Sequence, residues 1–146
     1  MKIGLSADHG GINLKDRIKR HLEARGLKVV DYGTDSTDPV DYPDYGKLLA
    51  EKILLGEVEC GIAICGTGIG ISIAANKVKG IRCANVSDTF SAKMAKRHND
   101  CQMISIGERT VGPGLAMEIV DAFLDADFEQ GRHAIRVDKI MQIEKE

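Results

Sequence analysis

The chain has 146 residues, of which 43% are hydrophobic and 29% are charged, and this composition is typical of a globular protein. The formal net charge of -2 gives no electrostatic basis for binding nucleic acid or an anionic membrane. No run approaches the roughly 20 apolar residues that cross a bilayer, and no signal-peptide pattern opens the chain. We therefore expect one domain over residues 1–146, in the cytoplasm, with neither nucleic acid nor a membrane as partner.

Short apolar runs alternate with segments of helical periodicity along the whole chain. The apolar runs predict five strands, at residues 1–7, 27–32, 60–65, 81–86 and 103–106. The segments between them predict helices that begin near Ile12, near Asp41, between positions 68 and 72, near Asp88 and near Gly112, and the tail predicts one more from Arg136. This alternation predicts an α/β fold: a three-layer α/β/α sandwich with a five-stranded, mostly parallel, Rossmann-like sheet and a C-terminal helix.

The segments that follow the predicted strands are the first candidates for a site. In parallel α/β folds, ligands bind beyond the carboxyl ends of the strands. We therefore expect the segments 8–9, 65–70, 87–88 and 107–109 to share one edge of the sheet. The four cysteines, at positions 60, 65, 83 and 101, have neither a CxxC pair nor zinc-site spacing, so we expect free thiols and no metal.

The loop from Cys65 to Gly70, read CGTGIG, is the strongest candidate for chemistry. Glycines let consecutive backbone N–H groups converge on an anion, and the helix that follows adds its positive end. A tight turn without a ligand remains open on the glycines alone. The dinucleotide and Walker patterns both fail, because position 71 is isoleucine and no Gly-Lys pair follows.

Cys65 stands directly beside this loop of amides. A cysteine phosphatase would need an arginine six residues further on, where the chain has Ile71. The amides favour the thiolate, which makes Cys65 a candidate base, and they are also suited to stabilising an oxyanion. Proton abstraction beside a carbonyl, through an enediolate, needs both a base and a site that stabilises an oxyanion.

Two histidine segments have a functional and a structural interpretation. Asp8 and His9 follow the first strand, where they suit proton transfer or a hydroxyl contact, although an ordinary helix cap is equally open. His98 lies between a helix and a strand, where the structural interpretation is a favourable charge at the helix end.

Three arginines are candidates for binding an anion. Arg109 follows the fifth strand on the predicted edge, and Arg132 and Arg136 lie four residues apart, which places them on one face of a helix. Two guanidinium groups side by side repel unless an anion binds between them, so this pair favours a phosphate pocket. A solvated basic face is the alternative.

Together these motifs resemble the type B ribose-5-phosphate isomerases, a family that includes galactose-6-phosphate and allose-6-phosphate isomerases. The resemblance runs nearly end to end, through Asp8-His9-Gly10-Gly11, VDYPD at 40–44, the loop 65–70 with ISIAANK after it, Gly80-Ile81-Arg82, His98-Asn99-Asp100, Gly107-Glu108-Arg109 and GRHAIR at 131–136. It implies an aldose–ketose isomerase that interconverts ribose 5-phosphate and ribulose 5-phosphate without a metal or an organic cofactor. It also implies a homodimer, sometimes paired into tetramers, with active sites at the subunit interface.

The resemblance assigns roles by position. Cys65 matches the base, and His98 matches the residue that helps to open the sugar ring, with Asp8 a further candidate for moving hydroxyl protons. The anion hole for the enediolate matches Gly66, Thr67, Gly68, Ile69 and Gly70, and contacts to sugar or phosphate match Asp8, His9, Asn99, Arg109, Arg132 and Arg136. Some of these residues are expected to come from the partner subunit.

Two departures from the family pattern bear on the site. Part of the family has a glutamate base in the loop, but no acid lies within positions 66–72 here, so this is the cysteine type. Cys101-Gln102 replaces a small and apolar pair beside His98. The choice between pentose and hexose phosphates stays open, and a non-catalytic, flavodoxin-like phosphate-binding module remains the rival from another class.

Overall fold

The computed structural model describes residues 1–146 as five strands and six helices. The strands are β1 (Lys2–Ala7), β2 (Lys28–Asp31), β3 (Cys60–Cys65), β4 (Cys83–Asn85) and β5 (Met103–Gly107). The helices are α1 (Ile12–Ala24), α2 (Tyr42–Leu54), α3 (Ile69–Asn76), α4 (Thr89–Arg97), α5 (Pro113–Leu124) and α6 (Arg132–Ile143). No helix is both long enough and apolar enough to cross a membrane.

The five strands form one sheet in the order β2-β1-β3-β5-β4, and every pairing is parallel. The predicted α/β fold is confirmed, and the sheet is parallel throughout. From β1 the chain passes to β2 at one edge, then returns to β3 on the other side of β1, passes to β4 at the far edge and returns to β5 between β3 and β4. The carboxyl ends of β1 and β3 therefore flank the topological switch point, where such folds bind ligands.

Helices cover both faces of the sheet, as the predicted sandwich requires. One core cluster joins the sheet to α1, α4 and α5, with Ile18, Ile104 and Ile119 fully buried. The other joins it to α2 and α3 through Leu49 and Ile71. Burial on both faces explains why the 60–65 run shows no polar alternation.

The predicted strands and helices are present, with shifts at their ends. β2 and β4 are shorter than predicted because they are edge strands, each paired with a single neighbour. α6 begins at Arg132, four residues before the predicted start, and so includes both Arg132 and Arg136. Both arginines therefore lie at helical spacing, as their sequence interval indicated.

Gly26 and Asp88 lie at helix ends as predicted, whereas the Asp41 side chain does not cap its helix. Gly26 follows α1 with a φ of 81°, and the Asp88 side chain accepts a hydrogen bond from Ser91 N–H at 2.6 Å at the start of α4. Hydrogen bonding with Ser91 holds the pKa of Asp88 below its usual value. Asp41 precedes α2 but caps it only through its carbonyl, which accepts from Asp44 N–H at 3.2 Å.

Candidate active site

The pocket at the switch point lies between the ends of β1 and β3. Asp8 directly follows β1, and its N–H donates to the Ile64 carbonyl at 3.2 Å, which joins the two strand ends. The open pocket has a volume of about 440 Å³, within the usual range for small-molecule sites. Its lining residues are Asp8, Tyr42, Cys65, Gly66, Thr67, Ile69, Gly70 and Ile73.

The glycine loop reverses the chain between β3 and α3 at Gly68. This residue has a φ of 78°, a conformation that side chains disfavour. A Cβ there would lie 2.6 Å from Asn85 Oδ1 and 2.9 Å from the Ile106 carbonyl carbon, so space as well as φ requires glycine. Gly70 serves another purpose, because a Cβ there would lie 2.5 Å from the ring of Tyr42, which packs directly on its backbone.

Cys65 is buried at the inner end of this loop. Its Sγ accepts a hydrogen bond from Gly68 N–H at 3.1 Å. A donated N–H stabilises negative charge on sulfur, so the contact suits a thiolate. One residue further, Ile69 N–H donates to Thr67 Oγ1 at 3.2 Å, at the first turn of α3.

The other three thiols lie in apolar surroundings. Burial raises the pKa of Cys60 and of Cys101 to about 11, and that of Cys83 to about 12. All three are therefore neutral thiols at physiological pH, as expected for cysteines that fill the core. Of the four, Cys65 alone lines the pocket.

Asp8 and His9 follow β1, and Asp8 lines the pocket. Asp8 is nearly buried, and its Oδ1 accepts from Gly10 N–H at 2.9 Å. His9 is exposed, and its Nδ1 accepts from Val40 N–H at 3.1 Å. Because Nδ1 is the acceptor, Nε2 carries the proton of the neutral ring and is a donor.

Arg109 completes the predicted edge. Its N–H donates to the Gly66 carbonyl at 3.0 Å, and its side chain lies 3.6 Å from the position that a Cβ on Gly66 would occupy. The guanidinium is exposed beside the loop, where an anion can reach it. The neighbouring Glu108 points away and accepts from Leu14 N–H at 2.6 Å, at the start of α1.

His98 and His133 form a cluster elsewhere in the chain. Their rings stack with centroids 4.1 Å apart and planes inclined by 7°. Glu129 lies 3.5 Å from His98 Nε2 and 3.9 Å from His133 Nε2, and it also pairs with Arg97 at 3.2 Å. Burial, followed by the charges of His98 and Arg132, holds the pKa of His133 below its usual value, which favours a neutral ring.

The ligand atoms of His98, Glu129 and His133 lie within 4.8 Å of one another, so a metal site must be considered. The two imidazole rings lie in nearly parallel planes. Ring-nitrogen lone pairs lie in the plane of each ring, so two parallel rings cannot direct them to one ion. As arranged, the cluster does not provide metal geometry.

The remaining predicted residues extend this second cluster. Arg132 and Arg136 are exposed on α6, on either side of His133 in sequence. Asn99 is also exposed, and its carbonyl accepts from Arg82 Nε at 2.8 Å. The Arg82 guanidinium thereby fixes the segment that follows His98.

Within one chain, the two groups of residues lie at opposite ends of the sheet. Gln102 precedes β5, and its carbonyl accepts from Gly61 N–H at the start of β3. Cys65 lies four residues further along β3, roughly 13 Å away at the usual rise per residue. His98 precedes Gln102, so the His98 cluster and the Cys65 pocket do not meet in a single chain.

Several residues near the pocket were not identified as functional from the sequence. Tyr42 lines the pocket, although it had no predicted role beyond a helix start and the VDYPD motif. Ser105 is fully buried, and its Oγ donates to the Gly68 carbonyl at 2.7 Å. A serine inside the apolar run MISIG was the available signal, because a buried hydroxyl needs a partner.

Comparisons with known proteins identify the family of this chain. Residues 3–140 match the model of the ribose/galactose isomerase family. The ribose-5-phosphate isomerase B of Escherichia coli is 49% identical over 144 residues, which cover 99% of this chain and 97% of that protein. The chain belongs to the ribose/galactose isomerase family, a family of sugar-phosphate isomerases.

Solved structures of the same family superpose closely. A ribose-5-phosphate isomerase B from Clostridium thermocellum has a TM-score of 0.98 and 54% identity, with 99% of this chain and 98% of that chain covered. A ribose-5-phosphate isomerase B from Mycoplasma genitalium, solved with bound ribulose-5-phosphate, has a TM-score of 0.94 and 41% identity, with 99% and 97% covered.

Proposed function

We propose that this chain interconverts ribose 5-phosphate and ribulose 5-phosphate through an enediolate, as an aldose–ketose isomerase in the cytoplasm. The observation that supports this most is the pairing of the Cys65 thiol with the amide donors of the glycine loop at the edge of one pocket. A base and an oxyanion site side by side are what proton transfer next to a carbonyl requires.

Cys65 acts as the base. Its thiolate removes the proton from C2 of the open-chain aldose, and the electron pair moves to give an enediolate with negative charge on O1. The loop from Gly66 to Gly70 holds this charge with its backbone N–H groups. The proton on the Cys65 thiol exchanges with solvent, and the thiol then delivers a proton to C1. Asp8, at the other side of the pocket, moves the hydroxyl proton from O2 to O1, which completes the ketose.

The phosphate and the ring-opening step involve a second copy of the chain. The His98 cluster lies at the far end of the sheet from Cys65, so His98, Asn99, Arg132 and Arg136 reach a Cys65 pocket only from a partner subunit. In the proposed homodimer, His98 of one copy opens the furanose ring in the pocket of the other. Arg132 and Arg136 bind the phosphate together with Arg109 and His9 of the first copy. In some family members, two such dimers pair into a tetramer.

The reaction in this scheme uses groups of the protein alone. The base is a thiolate and the oxyanion donors are amides, so no step needs a metal ion or an organic cofactor. The binding energy of the phosphate helps to orient the reacting carbons beside Cys65.

The direct test is isomerisation of ribose 5-phosphate in deuterated water by the wild-type chain and by Cys65→Ala. We expect deuterium at C1 of the ribulose 5-phosphate formed, and loss of at least about a hundredfold in kcat in the variant. Cys60→Ala is the matched control, since Cys60 lies at the other end of β3 and its thiol is neutral. Near-normal turnover by Cys65→Ala would reject the cysteine base.

Substrate choice is tested in parallel. Allose 6-phosphate and galactose 6-phosphate are assayed beside ribose 5-phosphate, and we expect the highest kcat/KM for the pentose. A higher value for either hexose phosphate would reassign the substrate within the family. Tight binding of FMN or ATP with no isomerisation of any sugar phosphate would instead favour a non-catalytic phosphate-binding module.

A further inference from the structure

We propose that Ser105 is a positioning residue that holds the glycine loop in its anion-binding orientation; this inference rests on the proposed isomerase function. Ser105 is fully buried in β5, and its Oγ–H donates to the Gly68 carbonyl at 2.7 Å. It does not line the pocket. Its action is therefore through the peptide group that it holds.

The peptide group between Gly68 and Ile69 is planar and rigid, with C=O and N–H on opposite sides. When Ser105 binds the carbonyl, the N–H of Ile69 is directed the other way, toward the Thr67 hydroxyl and the pocket, which Thr67 and Ile69 both line. One inward hydrogen bond thus sets the direction of one N–H at the first turn of α3.

This peptide needs such a restraint because it follows a glycine with a φ of 78°. Glycine has a broad choice of backbone angles, so a peptide beside it can rotate at little cost. Rotation would direct the carbonyl of Gly68 into the pocket and withdraw an N–H donor. The negative end of the carbonyl dipole would then face the developing enediolate.

Asn85 supports the same arrangement from β4. Its Oδ1 lies 3.4 Å from Ser105 Oγ and 2.6 Å from the point where a Cβ of Gly68 would be. The side chain therefore lies directly against the Gly68 backbone and blocks its movement toward β4. Because the serine has one proton, the shorter bond to Gly68 takes it, and Asn85 acts by contact.

The test compares Ser105→Ala with the wild-type chain in kcat, KM and affinity for a sugar-phosphate hydroxamate, a planar mimic of the enediolate. The loss of one orienting hydrogen bond predicts about a tenfold fall in kcat and an equal fall in hydroxamate affinity, with KM for ribose 5-phosphate nearly unchanged. A uniform weakening of substrate binding, seen as a higher KM at constant kcat, would overturn the inference.

Ser72→Ala is the matched control. Ser72 is also a buried serine, and its Oγ donates to the Cys83 carbonyl at 3.5 Å, one turn beyond the loop. We expect Ser72→Ala to lower thermal stability without lowering kcat or hydroxamate affinity. Equal effects of the two variants on kcat would mean that Ser105 has only a structural role.

Ser105→Cys provides a second variant that keeps the side-chain size while weakening the donor, and it decides the matter if Ser105→Ala does not fold. An intermediate fall in kcat is expected, and wild-type kcat would overturn the inference.

The proposed isomerase function and the role of Ser105 can be rejected independently. A wild-type chain that does not isomerise ribose 5-phosphate rejects the proposed function, whereas an active wild type with an equally active Ser105→Ala rejects the role of Ser105 alone.

Discussion

Gly68 is the residue on which the geometry of the pocket depends most. Its N–H reaches Cys65 Sγ, its carbonyl is held by Ser105, and its φ is positive. A side chain here meets both a conformational and a steric obstacle. The sequence indicated a glycine loop, but it did not indicate which glycine makes the turn, because this depends on the positions of β4 and β5.

Gly68→Ala is predicted to abolish most activity and to lower the free energy of unfolding by about 3 kcal/mol. The positive φ alone costs about 1–2 kcal/mol for alanine, and the contact at 2.9 Å with the Ile106 backbone adds to it. Isomerase assay and urea unfolding of the purified variant provide the measurements.

Gly26→Ala separates the effect of the positive φ from the effect of close packing. Gly26 has a φ of 81°, but a Cβ there would meet no atom within 4 Å. We expect a loss of about 1 kcal/mol with full activity. If both variants lose the same stability and both remain active, the close packing around Gly68 does not constrain the loop.

At the scale of elements, Lys15 joins α1 to the last residue of β2 and to the segment that follows it. The side chain is fully buried, and its Nζ lies 2.6 Å from Asp31 and 3.1 Å from Asp35. Burial alone lowers the pKa of Lys15, but its hydrogen bonds to Asp31 and Asp35 outweigh this and hold the pKa above its usual value. The amine is therefore charged, and it fixes the segment whose Thr34 N–H donates to the Ala7 carbonyl, next to Asp8.

Lys15→Met is predicted to lower the free energy of unfolding by about 2 kcal/mol at pH 7, since Asp31 loses its buried partner. Because the folded pKa is raised, the stabilisation is complete below the unfolded pKa of 10.5 and is lost as pH rises through the folded value. On the alkaline side, the difference between the two chains should therefore shrink only above about pH 10.

Lys47→Met is the control for charge removal. Lys47 and Glu51 form an exposed pair at 3.7 Å on α2, which contributes no more than about 0.5 kcal/mol. Unfolding of both variants is followed by circular dichroism across the pH range. A Lys15→Met chain as stable as Lys47→Met would contradict the role given to the buried amine.

The order of strands and helices along the chain could be predicted from the sequence, because each element shows its hydrophobic periodicity within its own segment. The run from Cys60 to Cys65 was predicted with its observed bounds, since burial on both faces leaves an unbroken apolar pattern. The short length of β4 and the contacts of Ser105 and Tyr42 were not predicted. These depend on which strands become neighbours, and strand order is not encoded in the periodicity of any one segment.

At the scale of the whole molecule, the candidate site is divided. The pocket with Cys65 and Arg109 is at the carboxyl ends of the strands, and the His98 cluster with Arg132 is at the other end. The motifs predicted both groups of residues from the sequence, but their separation in one chain became visible only in the fold. Ile69 and Ile73, which line the pocket, are 52% and 56% exposed, and such apolar side chains suit contact with a second copy.

The most direct test of a shared active site is complementation between two inactive variants. One copy carries Cys65→Ala, and the other carries Arg132→Ala with Arg136→Ala, positions that are exposed and so tolerate substitution. The two copies carry different tags and are co-expressed, so that the heterodimer can be purified. Its two sites are then unequal: one lacks the base and both arginines, and the other is intact.

We expect each homodimer to be nearly inactive and the heterodimer to have about half of the wild-type activity on ribose 5-phosphate, because one of its two symmetry-related sites is complete. A heterodimer no more active than either homodimer would contradict the account, since it would mean that Cys65 and the α6 arginines do not act together across the interface.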